Sequence, residues 1–253
     1  MNVPVLVQYH KDAFTNGPAP VILTAYGSYG YSSDPFFSAY RLPLMDQGIV
    51  FATAQVRGGS VLGRTWYFDG KMKQKRNTFT DFIAAADLLV QKGLTTNDLL
   101  IGRGGSAGGL LIGAVANMAG DKFKVLVPEV PFVDVLTTML DDTIPLTTSE
   151  YDEWGNPNNA DDYQTMRAYS PYENVEAKAY PHLYVTTGLN DPRVGYWEPA
   201  KWVARLRELK TDDNTLVMKT NMGEGHFGAS GRFNQLKELA EFYAFVLNKV
   251  GVH

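Results

Sequence analysis

Gly104-Gly105-Ser106-Ala107-Gly108 sits between two apolar runs, Leu99-Leu100-Ile101 and residues 110–115. A Gly-x-Ser-x-Gly segment joining a strand to a helix is a nucleophile elbow. The turn leaves no room for side chains at its flanking positions. The serine is held on a strained backbone, its hydroxyl pushed out over the sheet edge. Glycine-rich serine turns also occur in plain loops, so it is the strand–turn–helix setting that marks Ser106 as a nucleophile.

The rest of the chain supplies a sheet for such an elbow. Residues 3–9 and 21–26 have the apolar, β-branched character of strands, and residues 48–54 form a third, ending at Arg57-Gly58-Gly59. Residues 78–90 place Phe79, Phe82, Ile83, Ala86, Leu89 and Val90 at a helical period. A strand over 99–101 feeds the elbow and a helix over 109–118 leaves it. Residues 124–127, 183–187 and 215–219 read as further buried strands, and 199–209 and 235–250 as helices. Strands alternating with such helices predict a mostly parallel sheet covered on both faces. A chain of 253 residues is long enough to build it as one domain over 1–253. Residues 141–172, rich in Asp, Asn, Tyr and Pro and weakly periodic, read as an excursion over the catalytic edge of that sheet.

Composition removes several classes of function. A formal charge of −4 argues against nucleic acid or an anionic membrane surface as the main partner. No apolar run approaches the length of a membrane span, and residues 1–20 lack a signal-peptide core. The absence of cysteine excludes disulfides, thiolate chemistry and cysteine-ligated zinc, and is compatible with a cytoplasmic location. Lys71, Lys73, Lys75 and Arg76 form a short basic run that reads as a solvated face.

A serine hydroxyl is a poor nucleophile at neutral pH. It needs an adjacent base, itself oriented by a carboxylate. The chain has four histidines. His10 precedes the first loop, His253 ends the chain, and His182, after Tyr180-Pro181 and just before a strand, reads as structural. His226 lies in Met222-Gly223-Glu224-Gly225-His226-Phe227-Gly228, directly after the last predicted strand, where loops at strand carboxyl ends build a site. The acid belongs on the loop after the preceding strand, and Asp191 meets that requirement. Asp134, Asp141 and Asp142 fall on a loop nearer the elbow. The order Ser106, Asp191, His226 is that of α/β-hydrolases, which sets the expected fold. For the oxyanion, one donor is the Ala107 N–H, and the second comes from the loop Tyr26-Gly27-Ser28-Tyr29-Gly30.

With these residues in place, the chain resembles the catalytic domain of the prolyl oligopeptidase family, most closely its oligopeptidase B branch. The resemblance runs from Val3 to Leu247. It is carried by Tyr26-Gly27-Ser28-Tyr29-Gly30, Arg57-Gly58-Gly59, the elbow, Glu150-Tyr151-Asp152-Glu153-Trp154-Gly155-Asn156-Pro157 and Tyr196-Trp197-Glu198-Pro199-Ala200-Lys201-Trp202. It implies that the Tyr26 hydroxyl joins the Ala107 amide in the oxyanion hole. It implies that Arg193 holds a substrate carbonyl, against the plain alternative of a surface ion pair. It also implies cleavage of short peptides after Arg or Lys, with Glu150 and Asp152 matching an acid-x-acid pair for the basic P1 side chain. Two carboxylates can hold a guanidinium through a charge-assisted fork, and the plain alternative is a solvated acidic loop. A second acidic pair in the family serves P2. Asp34 matches its first member, but Phe36 stands at the second, which leaves a dibasic preference open.

Members of this family carry an N-terminal β-propeller, and the reading of residues 1–253 as one hydrolase domain leaves none expected here. The chain is expected to be a stand-alone or excised hydrolase domain, with an open catalytic face and an uncovered surface that invites homo-oligomer formation. The expected function is serine hydrolysis by acyl transfer, on a short peptide or, alternatively, a short-chain ester. The competing class is a binding module that keeps the fold only as a scaffold. No metal or organic cofactor is expected, because this chemistry requires neither.

Overall fold

The computed structural model describes residues 2–12 and 17–252. Seven strands form one sheet: β1 (Val5–Gln8), β2 (Val21–Thr24), β3 (Val50–Ala54), β4 (Leu100–Gly105), β5 (Val125–Glu129), β6 (His182–Gly188) and β7 (Leu216–Asn221). Their order is β1-β3-β2-β4-β5-β6-β7. Only β1 runs antiparallel, against β3, and the remaining pairs are parallel. The helices are α1 (Leu42–Met45), α2 (Arg64–Phe68), α3 (Arg76–Gln91), α4 (Ala107–Ala119), α5 (Val135–Leu140), α6 (Tyr151–Trp154), α7 (Ala160–Arg167), α8 (Trp197–Leu209) and α9 (Arg232–Val250). This is an α/β-hydrolase fold.

The strand order explains where a site can form. From β2 the chain moves outward to β3, then returns to the other side of β2 for β4 and continues through β5, β6 and β7. The loops leaving β2 and β4 therefore diverge from neighbouring strands, which opens a crevice at their carboxyl ends. Ser106 follows β4 and the Tyr26 loop follows β2. Thr24 pairs with Arg103, so the two loops start almost level.

Each face of the sheet has its own apolar layer. On one, Val21, Leu23, Ala52, Leu100 and Leu126 pack with Phe79 and Phe82 of α3 and Leu110 and Ile112 of α4. On the other, Ile22, Phe51, Ile101 and Val125 meet Leu44 of α1 and Phe242 and Val246 of α9. Residues on both faces of β2 to β5 are buried, which is why these strands read as continuous apolar runs.

Most element boundaries shift by one to three residues from the sequence expectation, and two of the shifts bear on the elbow. β4 continues to Gly105 because Gly104 and Gly105 still pair with Pro128 and Glu129 of β5; tertiary pairing overrides the poor strand propensity of glycine. Likewise α4 begins at Ala107, immediately after the elbow. The short helices α1, α2 and α5 are too brief to show a period in the sequence. The basic run requires a correction. Lys73 is solvated and pairs with Asp161, but Lys75 is only 1% exposed. It precedes Phe79 and Phe82 by four and seven residues, so it shares the apolar stripe of α3.

The Arg57-Gly58-Gly59 loop packs directly under the loop after β2. A Cβ on Gly58 would lie 2.0 Å from the Gly27 carbonyl oxygen, and Gly58 has φ +93°. Gly63 has nearly the same φ, +94°, but open space where its Cβ would be. Gly63→Ala is expected to cost only the backbone strain, about 1–2 kcal/mol. Gly58→Ala adds a clash with fixed backbone and is expected to cost roughly 3–5 kcal/mol, as read by urea denaturation of the two variants.

Candidate active site

Ser106 has φ 57° and ψ −117°, a conformation that L-residues avoid, and it is the residue immediately before α4. Three contacts hold it there. Its N–H donates to the Glu129 carbonyl at 2.8 Å, and its own carbonyl accepts from Leu110 N–H at 3.0 Å and Phe132 N–H at 3.2 Å. The elbow needs its glycines: a Cβ on Gly104 would lie 2.4 Å from the Gly108 oxygen. Strain of this kind persists only where the surroundings over-determine it.

The candidate acid, Asp191, follows β6 and the candidate base, His226, follows β7. Asp191 Oδ2 meets His226 Nδ1 at 2.7 Å, and both side chains are well buried. Asp191 Oδ1 accepts the Arg193 and Val194 N–H groups at 2.8 and 2.9 Å. Burial by itself would raise the Asp191 pKa. The His226 hydrogen bond and the two backbone donors outweigh it, and the net result lies below the usual carboxylate value. An ionised Asp191 fixes the proton on Nδ1 and leaves Nε2 as the free base. His226 and Ser106 line one cavity of about 410 Å³.

A second cavity, of about 300 Å³, opens on the other side of Ser106 and is lined by Tyr26, Ala107, Phe132, Glu150 and Arg193 among others. Tyr26 and Ser106 line this cavity together. Burial raises the Tyr26 pKa, Ser106 pulling the other way, and the phenol stays protonated at neutral pH as a donor. Ala107 opens α4, whose first N–H groups have no partner within the helix. Tyr26 and Ala107 thus both border the cavity that opens on Ser106.

Glu150 lies in the wall of this second cavity. Tyr29 Oη and Trp154 Nε1 both donate to its Oε2, at 2.7 and 2.9 Å, leaving Oε1 without a donor among the described residues. Asp152 is not brought to the cavity. Glu150 immediately precedes α6 and Asp152 lies two residues on, in its first turn, where i and i+2 do not share a face; Asp152 is exposed. Asp34 is likewise exposed and away from the cavity lining. Arg193 is at the cavity mouth, its guanidinium 5.1 Å from the centre of the exposed Phe227 ring. Part of the 141–172 excursion does cover the catalytic edge, since Ile144, Leu146 and Thr147 line the same cavity.

The other histidines fall away from this site. His182 accepts the Thr215 N–H on Nδ1 at 2.9 Å, a structural contact, His10 is exposed, and His253 lies outside the described residues. Sequence reasoning gave no role to Glu153. It is buried and holds both the Tyr29 N–H and the Tyr67 hydroxyl. Among the described residues no group of three acidic, histidine or cysteine side chains is arranged to hold a metal ion, and no helix is long and apolar enough to cross a membrane.

Sheet, elbow and the Asp191–His226 pair define an α/β-hydrolase. The sequence profile of the prolyl oligopeptidase family matches residues 35–253, and the chain belongs to that family. It is 69% identical over 252 residues to Protease 2 of Moraxella lacunata, covering 100% of this chain and 36% of that protein. It is 56% identical to dipeptidyl aminopeptidase BI of Pseudoxanthomonas mexicana, over 99% of this chain and 35% of the relative. Oligopeptidase B of Trypanosoma brucei, solved in a closed form with covalently bound antipain, superposes with a TM-score of 0.97 at 52% identity. That match covers 99% of this chain and 36% of the other. The chain therefore spans about a third of the length of the curated relatives it matches.

Replacing Asp191 by Asn keeps the shape but admits the wrong imidazole tautomer, and is expected to lower kcat by roughly 10⁴-fold in steady-state assays. A carboxylate with a depressed native pKa contributes stability above its unfolded pKa, near 4, and loses it as the pH falls through the native value. The stability advantage of the wild type over Asp191→Asn is therefore expected to shrink as pH drops below about 4 in denaturant titrations.

Proposed function

We propose that this chain is a serine peptidase domain that cleaves short peptides on the carboxyl side of Arg or Lys through an acyl-enzyme. The observation that carries the substrate class is Glu150. Its carboxylate faces a cavity opening on Ser106, with one oxygen fixed by Tyr29 and Trp154 and the other free for a cation. A guanidinium or ammonium there gains a charge-assisted hydrogen bond, while Phe132, Met139 and Leu146 take the aliphatic stem. The names of the relatives, Protease 2 and oligopeptidase B, support the same reading.

Catalysis follows from the placement of the donors. Ser106 Oγ attacks the scissile carbonyl carbon as His226 Nε2 takes its proton, and Asp191 stabilises the imidazolium. Negative charge grows on the carbonyl oxygen between the Tyr26 hydroxyl and the Ala107 N–H. The carbon–nitrogen bond then breaks and the amine leaves with the proton from His226. Water, deprotonated by the same imidazole, hydrolyses the ester and returns Ser106. Arg193 at the cavity mouth holds a peptide carbonyl further from the scissile bond.

The largely apolar wall formed by Phe132, Met139, Ile144 and Leu146 also suits a short uncharged acyl group, so ester hydrolysis is expected as an accompanying activity.

The test compares kcat/KM for an arginyl-amide peptide, its norleucyl analogue and a short-chain p-nitrophenyl ester, with Ser106→Ala as the blank. Glu150→Gln is expected to lower kcat/KM on the arginyl amide by about 10–100-fold, the worth of one charged hydrogen bond, and to leave the ester rate within about threefold. Asp152→Asn is expected to have a much smaller effect. Ester turnover alone, insensitive to Glu150, would replace the peptidase by an esterase.

A further inference from the structure

Lys75 carries its amine into the interior of the molecule. It is 1% exposed, just before α3, and no carboxylate among the described residues lies within ion-pair distance of its Nζ. The amine instead donates to the Gly27 carbonyl at 2.6 Å and to the Ser28 hydroxyl at 2.7 Å, and stands 5.0 Å from the Trp154 ring centre. Ser28 is itself fully buried. Thr78 adds a longer hydroxyl contact to the same Gly27 carbonyl, at 3.4 Å.

Glu153 grips the next residue of that loop. Its Oε1 accepts the Tyr29 N–H at 3.0 Å and its Oε2 accepts the Tyr67 hydroxyl at 2.6 Å. Tyr29 has φ 58°, so the loop is held against strain. Successive residues Gly27, Ser28 and Tyr29 are therefore fixed by one buried lysine and one buried glutamate side chain, and Tyr26 is the residue immediately before them. Trp154, which receives the Lys75 amine on its face, also donates to Glu150. The same lysine thus touches the loop that carries Tyr26 and the segment that carries Glu150.

Burying an ammonium is costly. Burial brings the Lys75 pKa down to about 7, against the pull of the Glu153 charge. A methionine would avoid that cost but leave the buried Gly27 carbonyl and Ser28 hydroxyl without this donor, so what the lysine secures is the conformation of this loop.

We propose that Lys75 is a positioning residue for acyl transfer: gripping Gly27 and Ser28, it sets the Tyr26 hydroxyl where the oxyanion forms. The proposal rests on the assignment of Tyr26 to the oxyanion hole. Lys75 touches neither substrate nor the reacting atoms, and it acts through the loop. Its loss is accordingly felt in the transition state more than in substrate binding.

A double-mutant cycle between Lys75→Met and Tyr26→Phe on an arginyl-amide substrate tests this, with thermal melts confirming that each variant is folded. Lys75→Met is expected to lower kcat by about 10–100-fold with KM changed less than about threefold. In the Tyr26→Phe background the same substitution is expected to change kcat by less than about threefold, because the donor it positions is gone. Equal losses in both backgrounds, or a loss confined to KM, would overturn the proposal. If Tyr26→Phe alone leaves kcat unchanged, the oxyanion assignment fails instead. Should Lys75→Met not fold, Ser28→Ala carries the same cycle. It removes one of the two acceptors and is expected to give a smaller, equally Tyr26-dependent loss of kcat, and an unchanged kcat would contradict the proposal.

Discussion

Everything in the site depends on the backbone of Ser106. At φ 57° the residue is strained, and the strain is held by its N–H donating to the Glu129 carbonyl of β5 and by its carbonyl accepting from the Phe132 and Leu110 N–H groups. The turn turns β4 directly into α4, so the first unpaired N–H groups of that helix lie beside the serine rather than a loop away. A relaxed turn would move the hydroxyl and the Ala107 N–H together. The geometry of nucleophile and oxyanion donor is therefore one constraint, set by β4–β5 pairing and the two apolar layers that bury those strands.

Around this fixed point the protein arranges two kinds of buried charge. On the His226 side, Asp191 is satisfied by one imidazole and two backbone donors, enough to keep it ionised despite burial. On the Tyr26 side, Lys75 and Glu153 are satisfied mostly by the loop itself. The two halves meet at Ser106, which lines both cavities. The proposed reaction, which moves a proton toward His226 and negative charge toward Tyr26, would run across this arrangement.

Much of this was legible in the sequence, for physical reasons. Ser106, Asp191 and His226 each follow a strand, and strand ends in an α/β sheet are marked by glycine and by the end of an apolar run. The alternation of apolar strands and amphipathic helices such as 78–90 identified the layers for the same reason. What stayed hidden depends on side-chain direction or on partners distant in sequence. Glu150 and Asp152 look equivalent as letters, and only the winding of the chain into α6 brings one to the cavity and leaves the other exposed. Lys75 looks like part of a solvated basic run, although its spacing to Phe79 and Phe82 is a helical stripe that places it inside. The extension of β4 through Gly104 and Gly105 depends on pairing with β5, which local propensity does not contain.

The central claim is that Ser106 is the residue acylated during turnover, activated by His226. The most direct measurement is intact-mass and peptide-mapping analysis of the chain after exposure to a fluorophosphonate, alongside the His226→Gln variant. A single adduct, mapped to Ser106, is expected, forming orders of magnitude more slowly when His226 is replaced. An adduct on another residue, or labelling of Ser106 at an unchanged rate without His226, would contradict that claim.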